Sequence, residues 1–173
     1  ELEKHISKSR HCQLAELAAI ISFSGRMILT GADPRLEIAT EHAGLAKKCY
    51  TLLKRAFDIS AELSEQNPGV LYIEEQDAMR RVLMALKFLE EDGSLHPFRQ
   101  AVNGMLLQKS CCRRTFVRGA FLASGSMSDP HKSYHFEIVC ATPQQAEQLR
   151  TVISDFGMDA KVCLLYTSDA ADD

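Results

Sequence analysis

The chain aligns with itself. At a constant displacement of one hundred residues, Cys12 falls on Cys112, Ser24-Gly25 on Ser124-Gly125 and Met27 on Met127. Leu36-Glu37-Ile38 falls on Phe136-Glu137-Ile138, Ala46 on Ala146 and Thr51 on Thr151, and Phe57 meets Phe156 after a slip of one residue. Each match alone is weak. A constant displacement held from Cys12 to Thr51 is what a tandem duplication leaves, and it implies two copies of one supersecondary unit.

In the first copy, CQLAELAAIISF spaces Leu14, Leu17, Ala18 and Ile21 as one helical face, with Gly25 as a C-terminal stop. RMILT and RLEIAT flank the turn-forming GADP and predict a hairpin, with Leu36, Ile38 and Thr40 on one face and Arg35, Glu37 and Ala39 on the other. From Glu41 to Phe57 the helical period returns: Leu45, Cys49, Leu52, Leu53 and Ala56 form the stripe, with Lys47, Lys48, Lys54 and Arg55 solvated. DISAEL and VLYIEE around QNPG predict a second hairpin. A last helix is expected over about 75–90, with Gly93 ending it. One copy therefore reads α-β-β-α-β-β-α.

A linker through DGSLHPFR leads to the second copy. CCRRTFVRGAFLAS is helical, GSMSDPHKSYHFEIVCA a strand pair and TPQQAEQLRTVISDFG a helix opened by Thr142 as N-cap, Pro143 at N1 and Gln145 placed to reach back. DAKV would begin a third strand. Beyond it, CLLYTSDAADD has neither period nor cap and resembles read-through translation of a transposase sequencing adapter. The expected division is a first repeat over 1–95, a linker over 96–109, an incomplete second repeat over 110–162, and non-native residues 163–173, excluded from fold reasoning.

Composition narrows the function classes. Without Asp169, Asp172 and Asp173, acidic residues fall from 23 to 20, equal to the 20 basic ones, so no charge excess announces a nucleic-acid partner. No secretory h-region follows Glu1 and no apolar run approaches membrane-spanning length; the expectation is a soluble cytoplasmic protein, without membrane partner, whose natural start is absent. The six cysteines form no CxxC pair, and Cys111-Cys112 by itself cannot make a tetrahedral site, so no metal and no cofactor are expected. His131 and His135 have a ligand spacing suited to a helix, but they lie in turn and strand sequence. No Ser-His-Asp set or phosphate loop is present.

Two αββαββα copies, each opening with an apolar helix that ends in small residues and Gly, resemble the LAGLIDADG homing-endonuclease-like family. That resemblance implies an α+β fold in which the two opening helices pack side by side about a pseudo-twofold axis. Close approach requires small side chains, supplied here by Ala18, Ala19, Ser22 and Ser24 against Gly119, Ala120, Ala123 and Ser124. In cleaving members the last acidic residue of each helix holds a divalent cation over the scissile phosphates. LAAIISFSG and GAFLASG place Ser24 and Ser124 there, so the resemblance implies a fold without catalytic residues.

More specifically, SRHCQLAELAAIIS, SCCRRTFVRGAFLASGSMSDPHKSYHFEIV and EQLRTVISDFGMDAK resemble the WhiA family of bacterial transcriptional regulators, over about Ile6 to Val162. The resemblance implies a degenerate LAGLIDADG domain followed by a C-terminal helix-turn-helix domain, absent from these residues, and a regulatory role in sporulation, cell division or chromosome segregation at the nucleoid. DNA would be bound mainly through that second domain. Candidate contacts within this chain are Arg26, Arg35, His131 and Lys132 near the hairpins, and Arg113, Arg114 and Arg118 on the second motif helix, opposed by Glu37 and Glu137 on the groove-facing side. A protein-interaction scaffold without DNA contact, or an active metal-dependent endonuclease, are the competing readings.

Overall fold

The computed structural model describes residues 1–128, 131 and 135–164. Its first helix, α1 (Arg10–Ser24), is almost wholly buried and runs without a loop into β1 (Gly25–Ile28). β2 (Arg35–Ala39), α2 (Ala43–Phe57), β3 (Glu62–Leu63), β4 (Val70–Ile73) and α3 (Gln76–Ala85) complete the first copy. The second begins with α4 (Ser110–Ser124) and continues through β5 (Gly125–Met127), β6 (Phe136–Ile138) and α5 (Pro143–Ser154). The fold is α+β, as the pattern of elements predicts.

The duplication is reproduced in strand register. Gly25, Arg26 and Met27 pair with Ile38, Glu37 and Leu36; Gly125, Ser126 and Met127 pair with Ile138, Glu137 and Phe136. The first copy builds an antiparallel sheet in the order β1-β2-β4-β3, and β5 and β6 form a two-stranded counterpart. Leu36, Ile38, Leu71 and Ile73 are sealed on the helix side of the larger sheet. Alternation puts Arg26, Arg35, Glu37, Tyr72 and Glu62 on its outer face.

The duplication also reaches upstream of the motif helices. Lys48 Nζ donates to Leu2 O and Gln148 Nε2 to Val102 O; Gln13 Nε2 donates to Ser7 O and Arg113 Nη1 to Leu107 O. Residues within the expected linker thus dock on the second copy as residues 2–7 dock on the first.

Three expectations need correction. Gly25 is not a left-handed stop: its backbone is extended, as is that of its repeat equivalent Gly125. What they supply is room, since a Cβ at either position would lie 2.7 Å from the carbonyl of Ile21 or Phe121. The last helix of the first copy ends at Ala85, before the expected 90, because Lys87 turns left-handed (φ 63°) and the amides of Phe88 and Leu89 both fold back onto Leu83 O. This drives Phe88 into the core against Phe98, and Gly93 (φ 90°) turns the short 90–96 hairpin that follows. The third correction concerns Lys48, expected in solvent: its side chain is fully buried.

Candidate nucleic-acid interface

α1 packs chiefly against α4. Gly119 sits directly on α1: a Cβ there would lie 2.8 Å from Glu16 O and 3.0 Å from the Ala19 Cβ. Ala18, Ala19 and Ala120 have no exposed surface. One turn before Gly119, Thr115 Oγ1 donates to Cys12 O across the seam. Ala123 is partly buried against the same core.

Beside this crossing lies a buried charge cluster that periodicity alone did not reveal. Glu16 Oε2 receives Lys48 Nζ from α2 at 2.8 Å and Arg118 Nε from α4 at 2.7 Å, while Arg118 Nη2 also reaches Glu16 Oε1 and Ser7 Oγ. One carboxylate therefore ties three helices and the N-terminal segment together. Burial pushes the Lys48 pKa below its ordinary value, against the raising hydrogen bond of Glu16. Arg118, a candidate DNA contact by sequence, is held inside the protein by Glu16.

Ser22 is also reassigned by its contacts. Its Oγ donates to Phe98 O at 2.8 Å and accepts from Gln145 Nε2 at 2.9 Å; Arg99 Nη1 donates to Ser22 O. Thr142 caps α5 by accepting from Gln145 N, as its sequence predicts, and donates its own hydroxyl to Arg99 O. Gln145 does reach back, but to Ala141 N. Ser22 thus anchors the 98–100 segment and α5 to the end of α1.

At the ends of the motif helices, Ser24 is buried and Ser124 Oγ donates to Val139 O at 2.6 Å. A neutral hydroxyl has neither the charge nor the free lone-pair set that a hard divalent cation demands, and the Ser124 hydroxyl is already engaged in the fold. These residues do not fit the cation of a cleaving relative.

The outer sheet face carries basic side chains, but each is paired. Arg26 Nε lies 2.7 Å from Glu37 Oε1, and Arg35 lies 3.2 Å from Glu74 Oε1 with its guanidinium over the Tyr72 ring. Arg113 donates to Leu107 O and Gln108 O and approaches Asp155, so it braces α4 rather than facing outward. Arg114 is exposed, as is His131. Lys132 lies outside the described residues.

Among the described residues, one set of side chains is assembled closely enough to hold a metal: His11, Cys12, Cys111 and Cys112, whose donor atoms all lie within 4.8 Å of one another. They occupy the opposite ends of α1 and α4 from Ser24 and Ser124, about 18 Å away at 1.5 Å per helical residue.

Comparison with known proteins accords with this architecture. Residues 10–85 match the family profile of the WhiA N-terminal LAGLIDADG-like domain, and residues 113–169 that of the WhiA LAGLIDADG-like domain. The chain is 37% identical over 172 residues to a protein of Alkaliphilus oremlandii named "Probable cell division protein WhiA", with 94% of this chain and 54% of that protein covered. A protein of the same name from Lachnoclostridium phytofermentans is also 37% identical, with 95% and 55% covered. The chain thus spans about half the length of these relatives.

In crystal structures, the fold matches the N-terminal LAGLIDADG domain of a WhiA protein (TM-score 0.62, 20% identity, 96% of this chain and 76% of that one). It also matches full-length WhiA from Thermatoga maritima (0.64, 17%, 95% and 51%). A variant of I-DmoI, in complex with its target DNA in the presence of magnesium, shares the fold (0.64, 11%, 95% and 88%). With both halves matched by WhiA profiles and the duplicated helix-and-hairpin register in place, this chain belongs to the WhiA family.

Proposed function

We propose that this chain is the non-catalytic N-terminal domain of a WhiA-like bacterial regulator of transcription in sporulation and cell division. It works in the cytoplasm at the nucleoid, and most DNA affinity comes from a C-terminal helix-turn-helix domain outside this sequence. The observation that carries the reading is the pair Ser24 and Ser124 at the two positions where a cleaving relative needs carboxylates, with the Ser124 hydroxyl bonded to Val139 O. The pairing of Arg26 with Glu37 and Arg35 with Glu74 supports a weak DNA surface, because a cation already neutralised gains less from a phosphate.

A second reading, a protein-interaction scaffold without DNA contact, is favoured by the small sheet. Met127 and Phe136 are exposed, whereas of their repeat equivalents Leu36 is sealed in the core and Met27 is partly buried against it. Fluorescence anisotropy with duplex DNA from upstream of the protein's own gene separates the two. The regulatory reading expects weak, salt-sensitive binding, with Kd of about 10⁻⁴–10⁻⁶ M at physiological salt. Tight binding at that salt would overturn the division of labour, and no binding even at low salt would favour the scaffold.

A further inference from the structure

The Cys/His cluster at the start of the motif helices belongs to none of the functions above. His11 and Cys12 are adjacent on α1, Cys111 and Cys112 adjacent on α4, and they are the same two positions of the repeat. The pairing of α1 with α4 therefore brings together two short donor pairs that face each other. His11 and Cys111 occupy the accessible rim; Cys12 and Cys112 lie beneath, each at most 5% exposed.

The spacing suits a metal better than a packing accident. In a tetrahedral site with Zn–S of about 2.3 Å and Zn–N of about 2.0–2.1 Å, each nitrogen-to-sulfur edge is about 3.5 Å and each sulfur-to-sulfur edge about 3.8 Å. His11 Nδ1 lies 3.2 Å from Cys112 Sγ, 3.4 Å from Cys12 Sγ and 3.9 Å from Cys111 Sγ, bracketing that edge for all three thiols. The full set fits within 4.8 Å, so small side-chain adjustments would place four donors around one ion.

The helix termini beside the cluster favour an anion. All four residues lie in the first turn of their helices, and neither helix has a side-chain cap at its N-terminus. The uncapped backbone N–H groups there present positive potential to whatever charge sits beside them. A hydrogen bond from Cys12 draws the Cys111 pKa below its ordinary value, while burial pushes Cys12 up to about 12 and raises Cys112 as well. Metal binding to thiols is coupled to loss of their protons, so a bound cation would supply the charge that the buried pair lacks.

We propose that His11, Cys12, Cys111 and Cys112 form a Cys₃His site for a soft, tetrahedral divalent cation of the zinc class, clasping the two repeats together at the start of their paired helices. Three thiolates and one neutral imidazole close the coordination sphere, as structural zinc sites require, and leave no position for a substrate. The site is therefore structural and separate from any cation of a nuclease centre. Loading and loss of the ion would tighten and loosen the seam on which the two sheets are carried.

The test is an anaerobic titration of the reduced full chain with Co²⁺. The expected result is an intense visible spectrum of tetrahedral cobalt with a thiolate-to-metal charge-transfer band, saturating at one ion per chain and displaced by Zn²⁺. Cys111→Ser and His11→Ala alter rim positions that the helix tolerates. Both should weaken binding about a hundredfold or more, since even residues that merely orient ligands cost 10–100-fold, with helix content by circular dichroism unchanged. Cys140→Ser and Cys163→Ser, outside the cluster, should bind as the parent does. A pale octahedral spectrum, no charge-transfer band, or unchanged affinity in both rim variants would overturn the site.

Discussion

The ammonium of Lys48 and the carboxylate of Glu16 meet at 2.8 Å with neither side chain reached by solvent. Glu16 also holds Arg118, so the cluster contains two cations and one anion. Removing the anion leaves both cations buried and unpaired, whereas removing Lys48 leaves a balanced pair. Glu16→Ala should lower stability by about 3–5 kcal/mol, and Lys48→Met should cost distinctly less. Urea denaturation of both variants measures this; equal losses would contradict the shared-carboxylate arrangement.

The same lysine gives a pH dependence. Burial holds its folded-state pKa below the ordinary 10.5. Between that lowered value and 10.5 the unfolded chain binds more protons than the folded one, so this group's contribution to stability rises with pH across that window. Below the window both states carry the proton and its contribution is constant. The stability difference between the parent protein and Lys48→Met should therefore move in favour of the parent as the pH rises through that window toward 10.5. A difference that stays fixed, or moves toward the variant, would count against a penalised buried ammonium.

Gly119 offers a sharp opposition of effects. Glycine to alanine inside a helix normally gains about 1 kcal/mol from propensity. Here the new methyl would press on Glu16 O and the Ala19 Cβ, and overpacking of this kind costs about 1–3 kcal/mol. Gly119→Val, with a smaller gain in propensity and a larger intrusion, should lower the melting temperature more than Gly119→Ala. A Gly119→Val protein as stable as the parent would show that the helices do not cross there.

Gln145 holds Ser22 O, Ser22 Oγ and Ala141 N with one amide. Gln145→Met keeps the volume and abolishes those bonds; a loss of about 1–3 kcal/mol is expected for buried polar groups left without partners. Chemical denaturation checks it, with Gln144→Met, an exposed neighbour, as the control.

Glu37 is the counterion that neutralises Arg26 on the outer sheet face. If that pairing restrains DNA contact, Glu37→Gln should tighten low-salt duplex binding and steepen the slope of log K against log salt by about 0.9, the value of one added phosphate contact. Anisotropy over a salt series reads both. An unchanged slope would place the contact surface elsewhere.

How far these features were legible depends on whether their cause is local. The repeat, the motif helices and the first hairpin follow from periodicity and turn chemistry, and the Thr142 cap is encoded within three residues. A stripe on α2 cannot place Lys48, because it says nothing about a carboxylate arriving from α1. Glu16 reads in the sequence as one polar residue in an apolar helix. The Cys/His cluster was hidden for a related reason: each helix supplies only an adjacent pair, and no single stretch shows ligand spacing. The self-alignment did contain the clue, since residues 11–12 and 111–112 share repeat positions. Gly25 reads as a left-handed cap, but at both Gly25 and Gly125 the cause is close approach to the preceding turn, which residue type alone does not distinguish.

The central claim, that Ser24 and Ser124 leave a LAGLIDADG-like fold unable to cut, meets its most direct test in a cleavage assay. The purified chain is incubated with fragmented genomic DNA of its own organism and Mg²⁺, and new ends are mapped by sequencing. The account predicts no ends above the metal-free control. Reproducible Mg²⁺-dependent cuts at a defined site, abolished by Ser24→Ala, would contradict it.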